Sequence, residues 1–119
     1  MIDLPPTSAW FYFLLHLAAS ATHVTAVILT CSPLARRIGL RTPTRVFGVM
    51  AHGGAGVLHF FLGINSFFGL STRNPDGTVP WFSMLIVACI AVGLPCYLRF
   101  AQQDIFVQAK RAAGEHSDG

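Results

Sequence analysis

Three stretches of this chain hold no Asp, Glu, Lys or Arg: residues 9–30, 46–70 and 80–98. A helix needs about 20 apolar residues to cross the hydrocarbon core of a bilayer, and each stretch is near that length. Lipid offers no hydrogen-bonding partner to a backbone, so a segment of this kind must satisfy its own N–H and C=O groups as a helix. Only 11% of the 119 residues are charged, and 53% are apolar. A soluble domain usually has about a quarter of its residues charged. The expected fold is therefore all-α: a polytopic membrane protein with three transmembrane helices at about 9–30, 46–70 and 80–100, forming one domain over 1–119.

The connections carry the punctuation this layout needs. Pro5 and Pro6 oppose helix in the lead, and Thr7 or Ser8 can cap the first helix. Trp10, Tyr12 and Trp81 suit an interfacial aromatic belt. Residues 31–45 form a loop with Pro33, Pro43 and four arginines: Arg36, Arg37, Arg41 and Arg45. Residues 71–79 read as a turn, with Asn74-Pro75 and Asp76-Gly77 as breakers. The lead has no basic residue of the kind a cleaved signal peptide begins with, so the first segment is expected to be retained. Basic residues favour the inner side of a membrane, and Arg99, Lys110 and Arg111 add to those of the loop. This gives an N-out, C-in orientation, with the arginine loop facing the cytoplasm or a mitochondrial matrix. Such a protein belongs in a bacterial inner membrane or an organelle membrane.

From Arg99 onward the chain becomes amphipathic. Phe100, Ile105, Phe106 and Val107 alternate with Gln102, Gln103, Asp104 and Gln108. The expectation is a C-terminal extension over 99–113 that continues the third helix along the inner interface. Asp104 and Lys110 are placed on its solvated face, and residues 112–119 are expected to lack fixed structure. Cys31, Cys89 and Cys96 have no CxxC spacing and read as small apolar residues. The arginines cluster in one short segment and form no continuous basic face, which excludes nucleic acid as a partner. No Ser-His-Asp or Cys-His set, Walker loop or Rossmann fingerprint is present, so nothing marks the chain as an enzyme on its own.

The chemistry-bearing residues are four histidines inside the first two apolar segments. At 100° per helical residue, Gly48, His52, Gly56, His59 and Gly63 share one stripe, and Tyr12, His16, Ser20, His23 and Val27 share another. A short loop makes these segments antiparallel neighbours. His23 and His52 then lie at matching depth near the loop, and His16 and His59 match about 10 Å further on. Two histidine rungs are expected if the stripes face each other. A bis-histidine haem b is one use of such rungs, with Gly56 leaving room beside the ring. Zinc or copper on His23 and His52 is another, and a proton relay a third. Helix packing through neutral imidazoles and glycines needs no ligand at all.

Ser20-Ala-Thr-His23 and His52-x3-Gly56-x2-His59 resemble fragments of the cytochrome b anchor subunits of succinate dehydrogenases. Those subunits are also small and have three membrane helices, and the resemblance implies haem b between the histidines. The chain departs from that family at Val24 and Leu58, where the family has arginines, and in the shorter spacing between the two motifs. Two function classes remain in view. One is a subunit of a larger complex in an electron-transfer membrane, holding a cofactor and contacting other subunits. The other is a free-standing homo-oligomer, a transporter or membrane-embedded enzyme, that uses the histidines for packing, substrate or protons. Both have the lipid bilayer as a partner.

Overall fold

The computed structural model describes residues 7–68 and 80–115. They form α1 (Thr7–Cys31), α2 (Pro33–Arg37), α3 (Thr42–Phe68) and α4 (Trp81–Glu115), with no strand among the described residues. The lead before Thr7, the turn at 71–79 and the last residues, 116–119, lie outside them. The protein is all-α, and α1, α3 and α4 are each long and apolar enough to cross a membrane.

The arginine loop is shorter than expected because helix occupies most of it. Pro33 opens α2 at a position where its missing N–H costs nothing. The Leu40 N–H then bonds the Ala35 carbonyl at 2.9 Å, and the Gly39 N–H bonds that of Arg36 at 3.0 Å. This closing turn needs a left-handed residue, and Gly39 supplies it at φ 83°. α3 starts at Thr42 and not at 46, because Pro43 sits in its first turn, where proline is tolerated. The helix is already propagating there: the Arg45 N–H reaches the Arg41 carbonyl at 3.1 Å.

α3 is the middle helix, with α1 and α4 packed along it on different faces. Between lipid-embedded helices there is little hydrophobic transfer to gain, so close backbone approach decides the packing. Gly93 of α4 lies against the α3 backbone: a Cβ added there would stand 2.9 Å from the Ala51 nitrogen and 3.2 Å from the Phe47 carbonyl. On the other face, a Cβ on Gly56 would meet His23 Cβ at 3.4 Å and the Ser20 carbonyl at 3.7 Å. Hydroxyls that could disturb this packing are mostly satisfied within their own helix. Thr22, Thr25 and Thr30 donate to the carbonyls of Ala18, Ala21 and Ala26.

α4 runs as one helix of 35 residues through Pro95. At 1.5 Å per residue that is about 52 Å, well beyond the roughly 30 Å of a hydrocarbon core. Its last part therefore extends past the membrane-spanning part. Helix persists through residues 112–115, which were expected to lack fixed structure. The extension does not float on a solvated face. Asp104, expected in water, is only 3% exposed. Its carboxylate accepts from Thr44 Oγ1 at 2.6 Å, from the Arg41 N–H at 2.9 Å, and from the Arg41 guanidinium. One turn on, Gln108 Nε2 donates to the Ile38 carbonyl. The reason is geometric: α4 is antiparallel to α3 and outlasts it, so position 104 falls beside the first turn of α3. Lys110 is exposed, as expected.

Burial alone would push the Asp104 carboxyl up. The bonds from Thr44 and Arg41 and the charge of Arg41 outweigh it and hold the carboxyl below its ordinary value. The Arg41 side chain is 59% exposed, so water screens the ion pair and the hydrogen bonds carry most of the clasp. A depressed folded value means stabilisation that is complete above the unfolded value and lost as pH falls through the folded one. Asp104→Asn should therefore lower stability at neutral pH by about 1–3 kcal/mol. Its deficit against wild type should shrink as the pH falls below about 4. Thermal unfolding in detergent at several pH values measures this, and a pH-independent deficit would mean that the charge contributes nothing.

Candidate functional site

The stripes of α1 and α3 face each other, and the four histidines meet in the expected pairs. His23 Nδ1 lies 3.1 Å from His52 Nδ1, and His16 Nδ1 lies 3.0 Å from His59 Nδ1. The rings of each pair tilt against one another with centroids 5.3 Å apart. Between the rungs, the rings of His23 and His59 stack at 5.6 Å and 10°. Ser20 Oγ donates to the Gly56 carbonyl at 2.9 Å in the same interval, tying α1 to α3. The four imidazoles thus form a ladder, His16–His59–His23–His52, running about 10 Å along the helix axis. All four are partly buried.

The local sequence explains why the ladder forms. Successive histidines are seven residues apart on each helix, so two turns bring each back to the same face. Gly56 sits between His52 and His59 and lets α1 approach until the imidazoles touch. Gly63 repeats this one rung on, where an added Cβ would meet His16 Cβ at 3.2 Å and the Phe13 carbonyl at 3.5 Å. A ring of aromatic residues, Trp10, Phe13 and Phe67, packs beyond the second rung, with Trp10 and Phe67 at 4.5 Å.

An Nδ1 to Nδ1 bond fixes the protonation of its pair. One ring donates its Nδ1–H, and the other must keep a bare Nδ1 lone pair to accept it. A pair can therefore be neutral or carry a single positive charge, because a second charge removes the acceptor. Residues that restrict four ionisable groups in this way, inside a segment free of other charge, are candidates for handling ions.

The haem implied by the local resemblance meets a different geometry. Two imidazoles on one iron need nitrogens about 4 Å apart, from metal–nitrogen bonds near 2.0–2.1 Å, and a gap between the helices as wide as a porphyrin. Here the facing nitrogens are in direct hydrogen-bond contact, Ser20 bonds Gly56 between the rungs, and the space beside Gly56 is filled by α1. With α1 and α3 packed in this way, a porphyrin does not fit between them. Among the described residues no three of His, Cys, Asp and Glu converge on one metal position. The cysteines are free, and Cys89 packs near Gly54.

Tyr97 is the site residue that sequence reasoning missed. Its ring stands edge-on to His52 with centroids 5.5 Å apart, and it also covers Gly48. A lone tyrosine in the third apolar segment was the signal, but no face of that segment could be assigned without knowing how α4 packs. Asn65 Oδ1 is buried among the described residues with no hydrogen-bond partner, whereas Ser66 Oγ donates to the Leu62 carbonyl at 2.8 Å. The chain matches no family model, no curated protein and no solved structure.

Proposed function

We propose that this is a small integral membrane protein whose histidine ladder takes up and passes protons within the membrane. The observation that carries the reading is the continuity of the four rings: two Nδ1 to Nδ1 bonds joined by a stacked pair. A proton arriving at the outer nitrogen of one ring releases the Nδ1 proton of that ring to its partner. The pair keeps one net charge throughout. The step from His59 to His23 has no direct hydrogen bond, so it needs a bridging water or a ring rotation. The arginine-rich end faces the cytoplasm or matrix in this reading, as the basic residues favour.

The test is proton movement into liposomes holding the purified protein and a pH-sensitive dye, driven by a potassium diffusion potential. Wild type should move protons, and His59→Leu should reduce the rate to that of protein-free liposomes. Thr22→Ala, which alters an exposed hydroxyl bonded within its own helix, should match wild type. A wild-type rate equal to the lipid blank would end the proposal.

A second reading is a single soft metal ion shared by His23 and His52. It is favoured by their Nδ1 atoms facing directly at 3.1 Å, since opening by about 1 Å reaches the separation for two imidazoles on one ion. This reading fits a cofactor-holding subunit of a larger membrane complex. It expects metal to co-purify with wild type and to be lost in both His23→Ala and His52→Ala.

A further inference from the structure

A cavity of about 250 Å³ lies between α1, the loop segment and α4, with His52 and Tyr97 among its walls. Its other walls are Ala26, Leu29 and Thr30 of α1, and a roof that runs from Leu34 to Leu40. We propose that this cavity is a water-filled port through which the ladder exchanges protons with the arginine-rich side. The inference rests on the proton-handling reading of the histidines.

Three observations lead to it. The first is position. The cavity lies at the basic end of the fold, beneath the segment that carries Arg36 and Arg37, and reaches His52, the ladder residue nearest that end. His52 Nδ1 is engaged by His23, so its Nε2 is the nitrogen left for exchange. The second is size and chemistry. The volume holds about eight waters at roughly 30 Å³ each, and Thr30, His52 and Tyr97 bring polar groups to an otherwise apolar wall. The third is the roof. Leu34 and Ile38 are 53% and 54% exposed, and Ala35, at 2% exposed, is the one fully buried apolar side chain of this segment. Besides the packing of Ala35, what ties it to the rest of the protein is polar and comes from the extension of α4: Gln108 on the Ile38 carbonyl, and Asp104 on Arg41. The extension of α4 therefore acts as the latch of the roof.

The experiment is the rate at which a small water-soluble methanethiosulfonate labels single cysteines in reconstituted protein whose native cysteines are replaced by alanine. Ala26→Cys lines the cavity, whereas Val24→Cys faces the outer groove of α1 and α3 at nearly the same depth. Labelling of Ala26→Cys should be about tenfold faster or more, because the reactive thiolate forms in water and not in an apolar setting. Adding Gln108→Leu should raise its rate about threefold or more by letting the roof open more often. Asp104→Asn should do the same, and Gln108→Leu keeps the test sound if Asp104→Asn impairs folding. Equal rates at the two cysteines would show a dry cavity and overturn the port. Unchanged rates in the Gln108→Leu protein would overturn the latch. The labelling needs no histidine, so it separates the two proposals: fast labelling without proton movement counts against the ladder, and proton movement without labelling counts against the port.

Discussion

Replacing Gly93 with leucine should push α4 away from α3 and cause the largest loss of stability of any single change in the apolar core. An added Cβ would stand 2.9 Å from one backbone atom of α3 and 3.2 Å from another. Backbone atoms in a helix cannot swing aside as the end of a side chain can, so the whole helix must move. Overpacking of this kind costs about 1–3 kcal/mol, and the remaining atoms of leucine extend the displacement to the Tyr97 side of the histidines. Gly93→Ala should show the same effect at the lower end of that range. Gly53→Ala is the matched control. Its Cβ would meet nothing within 4 Å, and alanine is the better helix former by about 1 kcal/mol. Denaturation in mixed micelles, followed by tryptophan fluorescence, gives the comparison. Equal stabilities for the Gly93 and Gly53 variants would refute the close contact between α3 and α4.

The second large effect is expected at the rungs. His23→Leu leaves the Nδ1 of His52 without its partner, and an unsatisfied polar group inside the membrane is costly. Hydrogen bonds between membrane helices average about 0.6 kcal/mol and reach about 1.7, which bounds the loss. The double variant His23→Leu with His52→Leu removes both polar groups and should be less destabilised than the sum of the singles. A double-mutant cycle should therefore give a coupling of about 0.5 kcal/mol or more for His23 with His52, and likewise for His16 with His59. The cross pair His16 with His52 shares no hydrogen bond and should couple near zero. Additive behaviour in the facing pairs would mean that the Nδ1 to Nδ1 bonds do not form in the folded protein. Every rung variant should also lose proton movement, including double variants whose stability has recovered. That outcome separates the chemical role of the imidazoles from their role in packing.

Much of the architecture comes from the chain's own pattern. Long stretches without charge have one stable solution in lipid, so three apolar helices could be read directly from the positions of Asp, Glu, Lys and Arg. The pairing of His23 with His52 and of His16 with His59 was legible for a related reason. Helical rise and a short connection together fix relative depth, and seven-residue spacing fixes the face. Local chemistry placed a cap at Thr7 or Ser8 before a helix expected from about residue 9, and α1 already includes Thr7; the last helix, expected from about residue 80, begins at Trp81.

The features that the chain alone left open depend on which helix meets which. The start of α3 at Thr42 reflects a proline that is tolerated only in a first turn, a choice that pattern reading does not make. The clasp at Asp104 is a contact between residues 60 apart in sequence. In the sequence, Asp104 is one polar residue among several in an amphipathic tail, and only the length of α4 beyond α3 makes it buried. The role of Gly56 was likewise ambiguous, since a missing side chain can admit a flat ligand or a neighbouring helix. The tertiary structure admits the helix, because α1 and α3 gain more from close backbone contact and the Ser20 bond than lipid can offer them apart. The order of residues along the chain determined three apolar helices and the matching depths of the histidines, and packing decided that the two stripes face each other and that their rungs touch.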